Sequence, residues 1–134
     1  MAGNFNYTWV QGEDLDIKVT YKKGDPNIPE GEAGAVAPVD LTGWEARLSI
    51  GNYGTPILNI EEGAANVSLG ADGVIEITLP RSELLEGGTL YPKLTQVSQN
   101  TFGYDLFVRD PGGKPFKVLS GQIYVERSIG QAWT

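Results

Sequence analysis

The chain has 134 residues, a formal net charge of −7, and neither His nor Cys. Its length suits one domain, able to bury a core without disulfides or a structural metal, and 40% hydrophobic residues argue against a disordered chain. Lacking imidazole and thiol, it lacks the usual general bases, soft-metal ligands and strong nucleophiles, and its acidity disfavours nucleic acid and anionic membrane surfaces, which need clustered Lys and Arg.

The start, MAGNFN, has neither the basic opening nor the apolar stretch of a signal peptide, and no apolar run reaches membrane-spanning length. A cysteine-free chain fits folding in a reducing cytosol. Residues 1–8 read as an N-terminal arm, and residues 5–10 (FNYTWV) as a short aromatic, β-prone segment. Leu15, Ile17, Val19 and Tyr21 alternate with Asp16, Lys18 and Thr20, which predicts a half-buried strand. Residues 22–38 (KKGDPNIPEGEAGAVAP) show no period. They read as a long acidic loop, a candidate contact surface that orders on assembly.

Trp44, Ala46, Leu48 and Ile50 then alternate with Glu45, Arg47 and Ser49. This parity predicts a Trp44 ring largely buried between two sheets. A turn at residues 51–54 leads to a strand over residues 56–60, which Pro56 suits to an edge. A weak strand at residues 66–69 and the alternating Ile75, Ile77 and Leu79 flank Asp72-Gly73, a hairpin signal.

Residues 80–86 form the one candidate for a helical turn, with Pro at its start and Gly87-Gly88 beyond its end. Residues 89–101 fit either a strand or a loop. Phe102, Tyr104, Leu106 and Val108 alternate inward, and Asp110-Pro111-Gly112-Gly113 is a tight turn. In the last strand Phe116 and Val118 share one parity, while Leu119, Ile123 and Val125 share the other. That phase slip near Leu119-Ser120-Gly121 predicts a bulge or bend. Residues 128–134 are a Gly-rich tail that carries Trp133.

Seven to nine short strands with turn residues between them, and at most one short helical turn, predict an all-β fold: one antiparallel, immunoglobulin-like β-sandwich domain over residues 1–134. Trp44 on a central strand and Tyr104 on a late one fit that version.

Carboxylates are the remaining chemistry. Glu13, Asp14 and Asp16 cluster at one strand start, and Asp105 and Asp110 sit on or beside a late strand. A glycosidase needs two carboxyls at a set separation with their acidities driven apart. Most of these flank turns, and their spacing matches no EF-hand loop. The sequence therefore assigns no catalytic, cofactor or metal residues. Trp9, Tyr53, Tyr91, Phe107 and Trp133 are aromatics with the pattern of partly exposed rings, a candidate stacking platform for sugars. The candidate partner contacts are Phe5, Tyr7, Tyr53 and Trp133, because aromatics on termini and turns have no local scaffold and serve as interface anchors.

The order of motifs is similar to that of a known family. WVQG runs into the strand at Leu15, and VDLTGWEAR, ADGVI and YDL follow in turn. GQIYVE (residues 121–126) closes the series. It resembles small immunoglobulin-like β-sandwich structural proteins of tailed bacteriophages, of the tail-fibre, collar or baseplate type. The resemblance implies a virion protein assembled in the host bacterial cytoplasm, without enzymatic activity or cofactor. It would act through contacts with other virion proteins and with copies of itself. The acidic charge and the short apolar runs add the expectation of no nucleic-acid partner and no membrane insertion. A capsid decoration protein and a carbohydrate-binding module are the alternatives, the latter with a glycan as ligand.

Overall fold

A computed structural model describes residues 3–52, 55–61, 67–95, 97 and 99–128. In chain order the strands are β1 (Gly3–Asn4), β2 (Tyr7–Val10), β3 (Leu15–Thr20), β4 (Lys22–Lys23), β5 (Ala37–Pro38) and β6 (Glu45–Asn52). They continue with β7 (Thr55–Glu61), β8 (Val67–Leu69), β9 (Val74–Leu79), β10 (Gln99–Arg109) and β11 (Pro115–Glu126). β1, β4 and β5 are two-residue ladders, and the other eight fall within the expected number.

Two sheets carry the core. One has the order β3-β9-β8 and the other β11-β10-β6-β7, with β1 and β2 on the free side of β11. Lettered in chain order, β3, β6, β7, β8, β9, β10 and β11 take the places B, C, C′, D, E, F and G of an immunoglobulin-like sandwich, with BED facing GFCC′. The pairing is antiparallel except at one edge, where β1 and β2 run parallel to β11. The residues read as an arm thus lie within that sheet from Gly3 onward.

Alternation explains which side chains meet. Ile17, Ile75, Ile77 and Leu79 from one sheet join Leu48, Ile50, Leu106, Ile123 and Val125 from the other in a single buried cluster. With no cysteine in the chain, no disulfide joins the two sheets, and apolar packing holds them face to face. Pro56 lies on β7, at the edge of its sheet, as expected. The Asp72-Gly73 turn also forms: Asp72 Oδ1 accepts from Val74 N at 3.2 Å, and Gly73 adopts φ 81°.

Four expectations need correction. Trp44 precedes β6 and is half-buried at the rim, while Trp9, read as partly exposed, is 1% exposed and central to the core. The cause is local. Asp40 Oδ1 accepts from Thr42 N at 2.9 Å, Trp44 N donates to Leu41 O at 3.0 Å, and Gly43 adopts φ 81°. This turn sends Leu41, not Trp44, into the core. The Thr42 hydrogen bonds also hold the Asp40 carboxyl below the usual carboxylate range.

Second, the described residues hold two 3-10 turns rather than at most one. Arg81–Leu84 was expected, and Tyr91–Lys93 lies in the ambiguous stretch, where Pro92 favours the tight backbone. Third, the slip in β11 comes earlier than expected. Leu106 pairs with Leu119 and Phe107 with Lys117, so Val118 is the extra residue, and Val118 and Leu119 both turn inward. Fourth, residues 22–38 have regular structure at their base. β4 pairs with β5, and Asp25 N donates to Gly34 O at 2.9 Å. The stem closes tightly at Gly24, where a Cβ would lie 2.3 Å from Ala35 O.

Candidate functional site

The edge beside β11 holds the first candidate contacts. Between β1 and β2 the chain is pinned by Phe5 N donating to Ser120 O at 3.0 Å and by Gln122 N donating to Asn6 Oδ1 at 2.9 Å. The Tyr104 hydroxyl, from mid-β10, donates to the Phe5 carbonyl. This bond ties down the N-terminal segment, a different task from that of the tyrosine in immunoglobulin domains, which bonds a few residues upstream. Gly121 permits the approach, since a Cβ there would stand 2.2 Å from Phe5 O.

Three rings stack outward from this anchor. Tyr7 lies 5.7 Å from Tyr104, and Phe5 lies 4.8 Å from Tyr7. Burial raises the pKa of both tyrosines, with a further push on Tyr104 from Tyr7, so both hydroxyls stay neutral donors at ordinary pH. Tyr7 is half-buried in the ladder, whereas Phe5 is 56% exposed. A large apolar ring is thus held rigidly at the surface. The other two candidate contacts, Tyr53 and Trp133, lie outside the described residues.

A second aromatic group closes one end of the sandwich, where β4, the turn before β6, and the start of β11 converge. Trp44 packs 6.1 Å from Tyr21 and 6.1 Å from Phe116. Lys23 Nζ stands 3.5 Å from the Phe116 centroid, 5.8 Å from Tyr21 and 6.0 Å from Trp44. An ammonium facing three rings is a cation–π arrangement. Its cation belongs to the stem of the 22–38 hairpin, so the cage fastens that hairpin to the sandwich. Sequence reasoning missed this group, because Tyr21, Trp44 and Phe116 lie far apart in the chain and each fits a strand pattern.

The carboxylates are dispersed. Asp14 accepts from Arg81 N at 2.8 Å, Asp16 accepts from Thr78 Oγ1 at 2.8 Å, and Asp110 accepts from Lys114 N at 2.8 Å. Each supports a local turn or strand pair. Among the described residues, no three His, Cys, Asp or Glu side chains gather where they could hold a metal ion.

The outer face of β6 and β10 is concave. One hollow of 460 Å³ is lined by Glu45, Arg47, Asp105, Phe107 and Arg109 among others, and a second of 210 Å³ lies over Gly51 and Gly103. The two hollows share Ser49 and Asp105, so they form one trough along the strands. Gly51 and Gly103 are directly paired across the ladder, which leaves the floor there without side chains. Phe107, one of the aromatics read as partly exposed, faces outward as its parity requires and is half-buried. Its neighbours Asp105 and Lys117 form an ion pair at 3.3 Å. That approach is not aligned as a hydrogen bond, and Asp105 Oδ1, although buried, has no hydrogen-bond partner.

No family model matches the chain, and no curated protein is significantly similar to it.

Proposed function

We propose that the chain is a structural protein of a tailed-bacteriophage virion, placed in the tail, collar, fibre-attachment or baseplate assembly and working by protein contact rather than catalysis. One observation carries the contact role. Phe5 projects an apolar ring from a backbone fixed by Ser120, Gln122 and the Tyr104 hydroxyl, so it needs little ordering to anchor a neighbour. The phage assignment rests on the order of WVQG, VDLTGWEAR, ADGVI, YDL and GQIYVE along the chain. Its partners in this reading are other virion proteins and further copies of itself. Trp133 is the second anchor, and the site of action is the virion, assembled in the bacterial cytoplasm.

The test is to express an epitope-tagged chain during phage growth, purify the particles, and locate it by electron microscopy. Density at the tail, collar or baseplate is the expected result. Density on the capsid would make it a decoration protein, and absence from purified particles would refute the virion role. Phe5→Ala should fold with a melting temperature lowered by no more than a few degrees, for the lost Tyr7 contact, yet incorporate less well, whereas normal incorporation would remove Phe5 from the interface.

A further inference from the structure

We propose that the trough on the outer face of β6 and β10 is a binding site for a neutral oligosaccharide, a function beyond the contact role assigned to Phe5. The larger hollow, at 460 Å³, falls within the roughly 300–1,000 Å³ of small-molecule sites. Its lining has the two elements a sugar ring requires. Phe107 supplies an aromatic surface for the apolar C–H face of a pyranose. Carboxylates and guanidinium groups around it are planar and bidentate, and they match vicinal hydroxyls.

Charge selects the ligand class. Glu45 and Asp105 are balanced by Arg47 and Arg109 in the lining, and Glu45 and Arg109 pair directly across the strands. Asp105 is paired in turn with Lys117 at the rim, so each carboxylate of the trough is already matched by a cation, and the chain's overall charge of −7 disfavours acidic ligands. Lys117 stands at the rim, 5.6 Å from the Phe107 centroid, and adds a donor.

A peptide fits the trough less well. β6 and β10 are interior strands, so their backbone groups are already committed to ladders on both sides and cannot accept an added strand. The lining also lacks the dry apolar centre from which protein interfaces draw their affinity. Beyond Phe107 the trough continues over the Gly51–Gly103 pair into the smaller hollow, which gives room for an oligomer rather than a single sugar.

The experiment screens the purified chain on an array of neutral and acidic oligosaccharides, then titrates the best neutral binder while recording amide NMR spectra. Saturable shifts are expected at Ser49, Gly51, Gly103, Asp105 and Phe107. Phe107→Ala should weaken binding about tenfold or more, and Phe107→Tyr, which keeps the ring, should bind nearly as well as the parent. Melting curves of both variants separate lost binding from lost folding. The proposal is overturned by an array without neutral binders, by shifts that map elsewhere, or by Phe107→Ala binding at parental strength. Concentration-dependent shifts of these same amides without sugar would overturn it too, giving the trough to a second copy of the chain.

Discussion

Replacing each of two tryptophans by alanine separates a core residue from a rim residue. Trp9 is 1% exposed, and its Nε1 donates to Glu13 O at 2.7 Å. Trp9→Ala opens a large cavity between the sheets and should cost about 3–5 kcal/mol, typical for a buried aromatic. For a domain of this size that lowers the melting temperature by about 10–20 °C. Trp44 is half-buried, and its loss removes two aromatic contacts and part of the Lys23 cage, worth about 1–2 kcal/mol together. Both variants, measured by calorimetry beside the parent, should differ in this order. Hydrogen exchange should add a second contrast, since Trp44→Ala should speed exchange in the 22–38 hairpin whereas Trp9→Ala should lower protection throughout the sheets. Equal losses, or a larger loss at Trp44, would refute the placement of Trp9 in the core and Trp44 at the rim.

Lys23→Met keeps the aliphatic stem but removes the ammonium over three rings, so exchange in the 22–38 hairpin should quicken while the melting temperature falls by only a few degrees, about 1 kcal/mol in stability. Gln11 is buried, donates from Nε2 to Leu84 O at 2.8 Å and accepts from Ser128 N at 3.0 Å; Gln11→Leu strands both partners and should cost about 2–4 kcal/mol by urea unfolding. The Tyr104 pKa is raised above its ordinary 10.0, so above about pH 10 the unfolded chain releases a proton that the folded chain retains, and stability falls as pH rises. That contribution is complete below pH 10, so melting temperatures followed from neutral to strongly alkaline pH should fall less steeply in Tyr104→Phe than in the parent.

Strand interiors were legible because parity is a local property. The alternation of Leu15 to Thr20, Val74 to Leu79 and Phe102 to Val108 states which residues turn inward, and the faces agree with it. Asp72-Gly73 and Pro56 were legible for the same reason, since each acts through its own dihedral angle or missing donor. Pairing was harder to read. Nothing in residues 3–10 distinguishes a flexible arm from strands laid parallel on β11, because that choice depends on a partner more than a hundred residues away. Trp44 misled because its parity continues that of β6, although the Asp40–Gly43 turn breaks the phase one residue before the strand begins. The cage and the trough escaped for a related reason. Each is assembled across strands that are distant in sequence, from residues that separately read as ordinary strand positions. The exposure of Phe5 was legible because an aromatic flanked by polar residues on a short segment has few local packing partners. The anchor that makes it rigid, the Tyr104 hydroxyl, was not.

The treatment of the sheet edges bears on how such a chain meets its neighbours. Exposed edges invite strand addition, and natural sheets blunt them with short strands, Pro and charge. Here one edge of the larger sheet is covered by the chain's own β1 and β2, and the other, β7, carries Pro56, which cannot donate to an added strand. In the smaller sheet β8 is only three residues long, and β3 places Asp16 and Lys18 on its solvent side. Asp16 and Lys18 are in turn bound to Thr78 and Glu76 on the neighbouring strand β9. Association by backbone pairing is therefore disfavoured at β7, β8 and β3. In the proposed assembly a neighbour would instead be met by side chains, and among the described residues Phe5 is the large apolar side chain most exposed to solvent. A neighbour that docks on a side chain leaves both sheets unchanged, so the domain can keep one fold whether free or assembled. Strand-addition assembly would change the amide exchange of β7 or β3. Assembly through Phe5 would protect the segment between β1 and β2 and leave those edges as they are in the free chain.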